Sequence, residues 1–355
     1  MIKFNRSLFL AGSIYVVAIV VFSGCARSAE EDLDHAVQTH IEAKNSGEAE
    51  DACRKVFLNA QKNSDSGQLC SALKARGDAE ISICEDEIQD QFFAKIISPC
   101  KAVLLTRIEQ IKKDRNEGLS ATPENLGFKI PFAVQYRDLS AGYTAVTGDT
   151  QAREVILSFD DGPHPTLSKM VVDMLDRIGV KAHFMQVGKN AQAYPSITQY
   201  IAASGNSIGN HSWDHTDFKT ISFEEQLKQI SDTNRAIINA IGWVDPFFRY
   251  PYGSTTADMN QFLKLHSEAN FLWSIDSNDW KKINADQTIR TNSQVVQETL
   301  AQLDQRGRGI VLFHDVHART IELLPTFLTS LYKKGYKIVL LQPVNSGLKN
   351  NSKIP

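Results

Sequence analysis

Residues 150–345 predict an α/β fold of parallel-barrel type, and residues 25–125 predict a small α-helical domain stapled by disulfides ahead of it. Three observations carry this reading. From about residue 150 onward, short β-branched or apolar runs alternate with helical stretches, the pattern of parallel strands buried on both faces. Four cysteines, Cys53, Cys70, Cys84 and Cys100, cluster before that region and none follows it. The polar residues of the second region collect directly after its predicted strands, where barrels of this class keep their chemistry.

The elements follow in order. Lys3 and Arg6 precede an apolar run from Leu8 to Phe22, short for a bilayer span and typical of a secretory leader. Ser23-Gly24-Cys25 resembles a bacterial lipoprotein lipobox, with Phe22 where such boxes usually carry Leu. Residues 1–24 therefore read as a signal peptide and Cys25 as the lipidated first residue of the mature chain. Plain cleavage near Ala26–Ala29 and a retained anchor are the alternatives. Every version implies export, to the cell envelope or periplasm on a lipid anchor, or to the medium. A formal net charge of −3 on 355 residues gives nucleic-acid binding no electrostatic support.

Four cysteines in an exported chain imply two disulfides of undetermined connectivity. No C-x-x-C pair is present, which disfavours a zinc site there. Leu33, Val37 and Ile41 give one apolar helical face, and Cys84, Ile88, Phe92 and Ile96 another. After Pro99 the period resumes at Val103, Leu104, Ile108 and Ile111. His35 and His40 read as solvated helix residues. The stretch Gly118 to Gly127 reads as a linker, and residues 126–149 as a lead-in.

The predicted barrel strands are Val155–Phe159, Ala182–Val187, Ser207–Asn210, Phe247–Arg249, Phe271–Ser274, Ile310–Phe313 and Lys337–Leu340. Helical stretches separate them, among them Thr166–Ile178 before Gly179 and Ser222–Ile241. About seven strands suit a barrel better than most open sheets. The tail is 346–355.

Five of these strands run into polar clusters. Asp160-Asp161 stands before a Gly-Pro turn. His211 and His215 are four apart, a spacing that suits two nitrogen ligands on one metal. Arg249 stands before a tight turn, Asp276 and Asp279 precede Trp280, and His314-Asp315 closes an apolar strand. Each cluster alone has a bland reading as a surface turn or a satisfied core residue. Five together at strand ends imply a metal-assisted active site.

In this order SFDDGP (158–163), HSWDH (211–215), RYPYG (249–253), DSNDW (276–280) and IVLFHD (310–315) resemble the five motifs of the polysaccharide deacetylase family, the NodB-homology group or carbohydrate esterase family 4. AHFMQVGKNA (182–191) resembles the family's second strand, with His183 where Thr is common. Ser158 replaces a frequent Thr, and Tyr250 a frequent small residue or Pro. The resemblance covers about residues 150–342 and implies a distorted (β/α)7-type, NodB-like barrel.

It also implies roles. Asp161, His211 and His215 are the expected metal ligands, for Zn2+ first, with Co2+, Ni2+ or Fe2+ as alternatives. Asp160 is the expected general base, compensated by Arg249. His314 is the expected general acid, oriented by Asp279. The Tyr252 backbone N–H is expected at the oxyanion, and Trp280 with Leu312 at the acetyl methyl group. Asp276 and Trp273 are supports, and His164, His183, His266 and His317 structural or surface residues. Trp213 and Tyr250 either line the sugar cleft or pack. The expected activity is N-deacetylation of N-acetylglucosamine residues in a β-linked glycan, peptidoglycan first. Chitin oligomers, an N-acetylglucosamine exopolysaccharide and O-acetyl xylan are the alternatives, and a glycan-binding pseudoenzyme is the non-catalytic one. Retention of Asp279-Trp280 weighs against a muramic-acid-specific enzyme.

Overall fold

The computed structural model describes residues 70, 73–89, 97 and 100–344. The expectations for the leader, Cys25, Cys53, His35, His40, Phe92, Ile96 and the tail lie outside the described residues. No described helix is long and apolar enough to cross a membrane.

Ten strands form one sheet among the described residues: β1 (Phe132–Arg137), β2 (Tyr143–Ala145), β3 (Glu154–Asp160), β4 (His183–Gln186), β5 (Ser207–Asn210), β6 (Phe247–Phe248), β7 (Ala269–Phe271), β8 (Ile275–Asp276), β9 (Gly309–His314) and β10 (Lys337–Pro343). Their order is β1-β10-β3-β4-β5-β6-β7-β2, with β9 branching from β3 and β8 pairing β9. All these strand pairings are parallel. The fold is therefore α/β, with a parallel sheet consistent with a distorted barrel.

Alternation along β3 explains how this sheet serves two sides at once. Val155, Leu157 and Phe159 join the core shared with the helices, whereas Ile156 joins a separate cluster with Met185, Phe247, Phe271, Ile310 and Leu341. Side chains two apart share a face, so Ser158 and Asp160 follow Ile156 to the inside. Parallel register then sets Asp160 opposite His314 on β9 and opposite Met185 on β4.

Helices connect the strands and end where the sequence punctuates them. Leu167–Ile178 stops at Gly179, and Phe223–Ile241 at Gly242, both glycines in the left-handed region that only glycine enters without a steric cost. Ser222 and Glu225 form a capping box, as do Thr291 and Gln294 ahead of Asn292–Arg306.

Two differences from the expected elements are physical. Residues 126–149 carry β1 and β2, because β10 offers an edge that β1 takes along its whole length. The strand expected at Phe271–Ser274 shares only Phe271 with β7, and residues 272–274 form the gap before β8, since the chain leaves the β6 edge near Phe271 and resumes pairing beside β9 at Ile275.

Ahead of the barrel lie α1 (Asp78–Ile83), α2 (Glu85–Gln89) and α3 (Lys101–Arg115). Cys70 is bridged to Cys100 with their Cα atoms 5.5 Å apart, and Cys84 is also disulfide-bonded. These helices and the barrel belong to one compact unit, and no separate helical body stands out among the described residues. The reason is a buried ionic seam. Arg115 at the end of α3 donates to Glu85 at 2.6 Å and bidentately to Glu322 at 2.9 Å. Glu322 belongs to the long helix Ala318–Lys333 of the barrel.

Candidate active site

The site is assembled from the ends of β3, β5, β6 and β9 and from the loop after β8. Asp160 is the last residue of β3, and at 2% exposure its charge needs a partner. Arg249, fully buried just after β6, supplies it: Nη1 donates to Asp160 Oδ1 at 2.5 Å and to Ser158 Oγ at 3.0 Å. The same guanidinium is fixed by the carbonyls of Phe271 and Leu272 and lies over the Phe271 ring. One Arg249 nitrogen therefore meets the Oδ1 side of the carboxylate, and Oδ2 is left facing His211 Nε2 at 3.5 Å.

Beside it, Asp161 Oδ1 lies 3.5 Å from Nε2 of both His211 and His215. The three donor atoms all fall within 4.8 Å of one another, and that Oδ1 is buried without a hydrogen-bond partner. Donors about 2.1 Å from one tetrahedral ion sit about 3.4 Å from each other, so the trio fits a divalent cation. The ring of His211 is already oriented for it. Its Nδ1 contacts the Arg249 carbonyl at 2.8 Å; a carbonyl only accepts, so Nδ1 carries the proton and the Nε2 lone pair faces Asp161. Asp161 is held down at about 2: burial pushes its carboxyl up, but His215, His314 and His211 outweigh it.

Backbone strain concentrates at the same place. Asp161, Ser212, His215 and Tyr252 have φ of 72°, 68°, 63° and 58°, a region non-glycine residues seldom occupy and which surrounding contacts must enforce. His215 N bonds Ser212 Oγ, and Ser212 N bonds Asn210 Oδ1, so the turn carrying both imidazoles is locked by its own side chains.

Across the site, His314 Nδ1 lies 2.7 Å from Asp279 Oδ1, while Asp279 Oδ2 accepts from the His314 N–H and from Thr320 Oγ1. Burial alone pushes the imidazole pKa down, yet Asp279, with Asp161 and Asp160 beyond it, raises it to about 10. Asp279 moves the opposite way: burial raises it, and His314 holds it well below the usual carboxylate range.

Other residues singled out in the sequence fall as follows. Tyr252 is 54% exposed and sits edge-on to His215 at 4.6 Å. Trp280 is half-buried, and Leu312 is buried opposite Ser158 and Asp276. Asp276 accepts from Asn278 N in the turn before Asp279, and Trp273 lies beside the Arg249 guanidinium. Tyr250 is fully buried with its hydroxyl on Asn260, which makes it packing rather than cleft, whereas Trp213 is half-buried. His183 is buried, accepts from Leu341 N and is pushed down to about 3 by desolvation. His164 accepts from the N–H groups of Thr166 and Leu167 at a helix start, and His266 stacks on Phe262.

Sequence reasoning gives no site role to three neighbours. His317 has its ring 5.8 Å from that of His314, and Thr320 bonds Asp279. Asp315 is fully buried against Gly162, where an added Cβ would stand 2.5 Å from both carboxylate oxygens. The one available signal was position: all three lie within a few residues of His314 or on the next helical turn.

Fold and site together define a parallel α/β protein whose strand-end rim can chelate a divalent cation. Residues 147–268 match the family described as polysaccharide deacetylase, and the chain belongs to that family. Among solved structures it is similar to the peptidoglycan deacetylase Bd3279 of Bdellovibrio bacteriovorus, at TM-score 0.74 and 31% identity over 93% of this chain and 99% of that one. It is 30% identical over 194 residues to the peptidoglycan-N-acetylmuramic acid deacetylase PdaC of Bacillus subtilis, covering 54% of this chain and 39% of that protein. It is 32% identical over 189 residues to the peptidoglycan-N-acetylglucosamine deacetylase PgdA of Listeria monocytogenes, covering 53% and 38%. The chain thus spans about two-fifths of the length of these two curated relatives.

Proposed function

We propose that the chain is a metal-dependent deacetylase that hydrolyses the N-acetyl group of N-acetylglucosamine residues in a β-linked glycan, peptidoglycan first. The observation that carries this is the Asp161–His211–His215 trio, set between a carboxylate paired with buried Arg249 and a cationic His314. The substrate class rests on family membership and on relatives named for peptidoglycan.

Asp161, His211 and His215 would hold the ion, Zn2+ by their carboxylate and imidazole donors, and when bound it would supply an acidified water and a Lewis acid for the acyl oxygen. Asp160 takes the water proton at Oδ2, the oxygen turned toward the trio. Arg249, bonded to the other oxygen of that base, offsets the charge of two neighbouring carboxylates. The water oxygen bonds to the acetyl carbon, and the Tyr252 N–H receives the developing oxyanion. His314 then donates its Nε2 proton to the amide nitrogen while Asp279 holds Nδ1, so the C–N bond breaks to acetate and a free amine. Trp280 and Leu312 bound the methyl slot.

The same reading takes residues 25–125 as a disulfide-braced helical segment that packs onto the catalytic domain, 150–345. Residues 1–24 are an export signal, and Cys25 is the lipid attachment site.

Mass spectrometry of N-acetylglucosamine oligomers and isolated peptidoglycan incubated with the protein tests the function. The expected result is acetyl loss from glucosamine positions, stopped by a chelator and restored by Zn2+ or Co2+. Intact acetyl groups on every substrate, with metal bound, would end the proposal. Acetyl loss confined to muramic acid would reassign the sugar.

A further inference from the structure

Asp279 and Trp280 sit in a loop that runs from Ser277 to Arg290 and carries little regular structure. Asn278, the residue before Asp279, has φ 49°, a conformation that persists only where the surroundings impose it. Two buried arginines grip this loop by its backbone. Arg290 donates to the carbonyls of Asn278, at 2.5 Å, and Ser277, at 3.5 Å. Arg319, 3% exposed on the helix Ala318–Lys333, donates through Nη1 to the Lys281 carbonyl and through Nη2 to the Arg290 carbonyl. Its Nε donates to Asn292 Oδ1 at 2.6 Å. The next residue of that helix, Thr320, bonds Asp279 itself.

The grip extends to the helices ahead of the barrel. Asn292 Nδ2 donates to Asn116 Oδ1, just after α3, and to Glu322 Oε2. Glu322 in turn holds Arg115 of α3. A guanidinium buried on carbonyls and an amide is costly, and desolvation together with Arg115 and Arg290 pushes Arg319 down to about 9. What the fork offers is direction: three N–H groups in one plane fix two carbonyls and an amide at once, which an ammonium cannot do.

We propose that Arg319 is a positioning residue that holds the Ser277–Arg290 loop so that Asp279 meets His314, and that the α3 end, through Asn116, Asn292 and Glu322, fixes Arg319 in turn. This rests on the roles given above to Asp279 and His314. The helices ahead of the barrel then shape the catalytic rim through Arg319.

The test uses the full chain. Arg319→Ala is expected to lower kcat by roughly 10²-fold, the scale of a misplacement of about 1 Å, with metal content unchanged. Added guanidinium ion is expected to restore at least part of the loss, and Arg319→Lys is not. Asn116→Ala, at a half-buried position, is expected to lower kcat by a smaller factor of roughly 3–10 with KM little moved. An unchanged kcat in Arg319→Ala, or a loss that guanidinium leaves untouched, overturns the proposal. Should Arg319→Ala fail to fold, Asn116→Ala decides, and an unchanged kcat there overturns it. Should the unaltered chain show no deacetylation, the functional reading fails separately. The downfield Nδ1–H resonance of His314 then decides: its disappearance in the variant supports the positioning role, and its persistence refutes it.

Discussion

The rim of the barrel and the seam between α3 and the helix Ala318–Lys333 are both built on a buried arginine held by carboxylates, yet they do different things. At the rim, Arg249 is paired with Asp160, and a trio of donors beside it points one buried oxygen with no hydrogen-bond partner toward two imidazoles. In the seam, Arg115 has Glu85 and Glu322 on its two sides, and Glu322 is further bonded by Asn292. A saturated network holds parts together. An unsaturated one has room for a ligand, and its strained backbone at Asp161 and His215 shows that the fold spends stability to keep it so.

The contrast predicts opposite phenotypes. The largest effect is expected from Asp160→Asn, which keeps the shape and removes the base: kcat should fall by about 10²–10⁴-fold while metal stoichiometry, read by elemental analysis, stays at the wild-type value. Turnover near wild type would remove Asp160 from its role and blur the distinction between the two arginine sites. Next comes Arg115→Gln. It leaves Glu85, 2% exposed, with Lys112 at 3.0 Å as its remaining cation, and should cost about 3–5 kcal/mol by denaturant melt. Metal affinity should not move. A seam variant that melts like wild type would mean the contacts contribute nothing net.

His211→Ala sharpens the rim side. It removes one of three donors and the bond to the Arg249 carbonyl, and metal affinity by calorimetry should fall by roughly 100-fold or more, beyond the loss typical of an outer-shell change. Equal affinity in the variant would place the ion elsewhere.

The two regions also differ in how far the sequence exposes them. Asp160, Asp161, His211 and His314 stand at or just after the end of a strand whose apolar run is local, so SFDDGP, HSWDH and IVLFHD mark both the strand and the site. Arg115 and Glu322 are 207 positions apart, and no local pattern pairs them; the seam and the Arg319 grip exist only once the helices pack. β1 is hidden in the sequence for a related reason. Its residues alternate between half-buried and exposed without a strong apolar run, and its partner β10 lies at the far end of the chain. The expected strand Phe271–Ser274 falls on the break between β7 and β8, because that break is set by neighbours, not by a turn signal. His183 and His314 make the point at single-residue scale. Both imidazoles begin or end buried strands, yet one is driven down to about 3 by desolvation and the Arg249 charge and the other up to about 10, first by Asp279, which arrives from another loop.

That difference gives the smallest prediction. In metal-free protein the Asp279–His314 pair links folding to protons at both ends. His314, raised above its ordinary 6.5 to about 10, contributes stability that is fully present below pH 6.5 and is lost as pH rises through about 10. Asp279, lowered from 3.8, contributes stability present above that value and lost as pH falls through its depressed pKa. The pair therefore stabilises most between about pH 4 and 6.5. Asp279→Asn should lower Tm by a few degrees there, and the gap to wild type should narrow steadily toward pH 10. Thermal melts in chelator across that range measure it directly. A gap that stays constant with pH would mean His314 is not held cationic by Asp279, and the proton for the leaving amine would have to come from another group, of which His317 is the nearest imidazole to His314 among the described contacts.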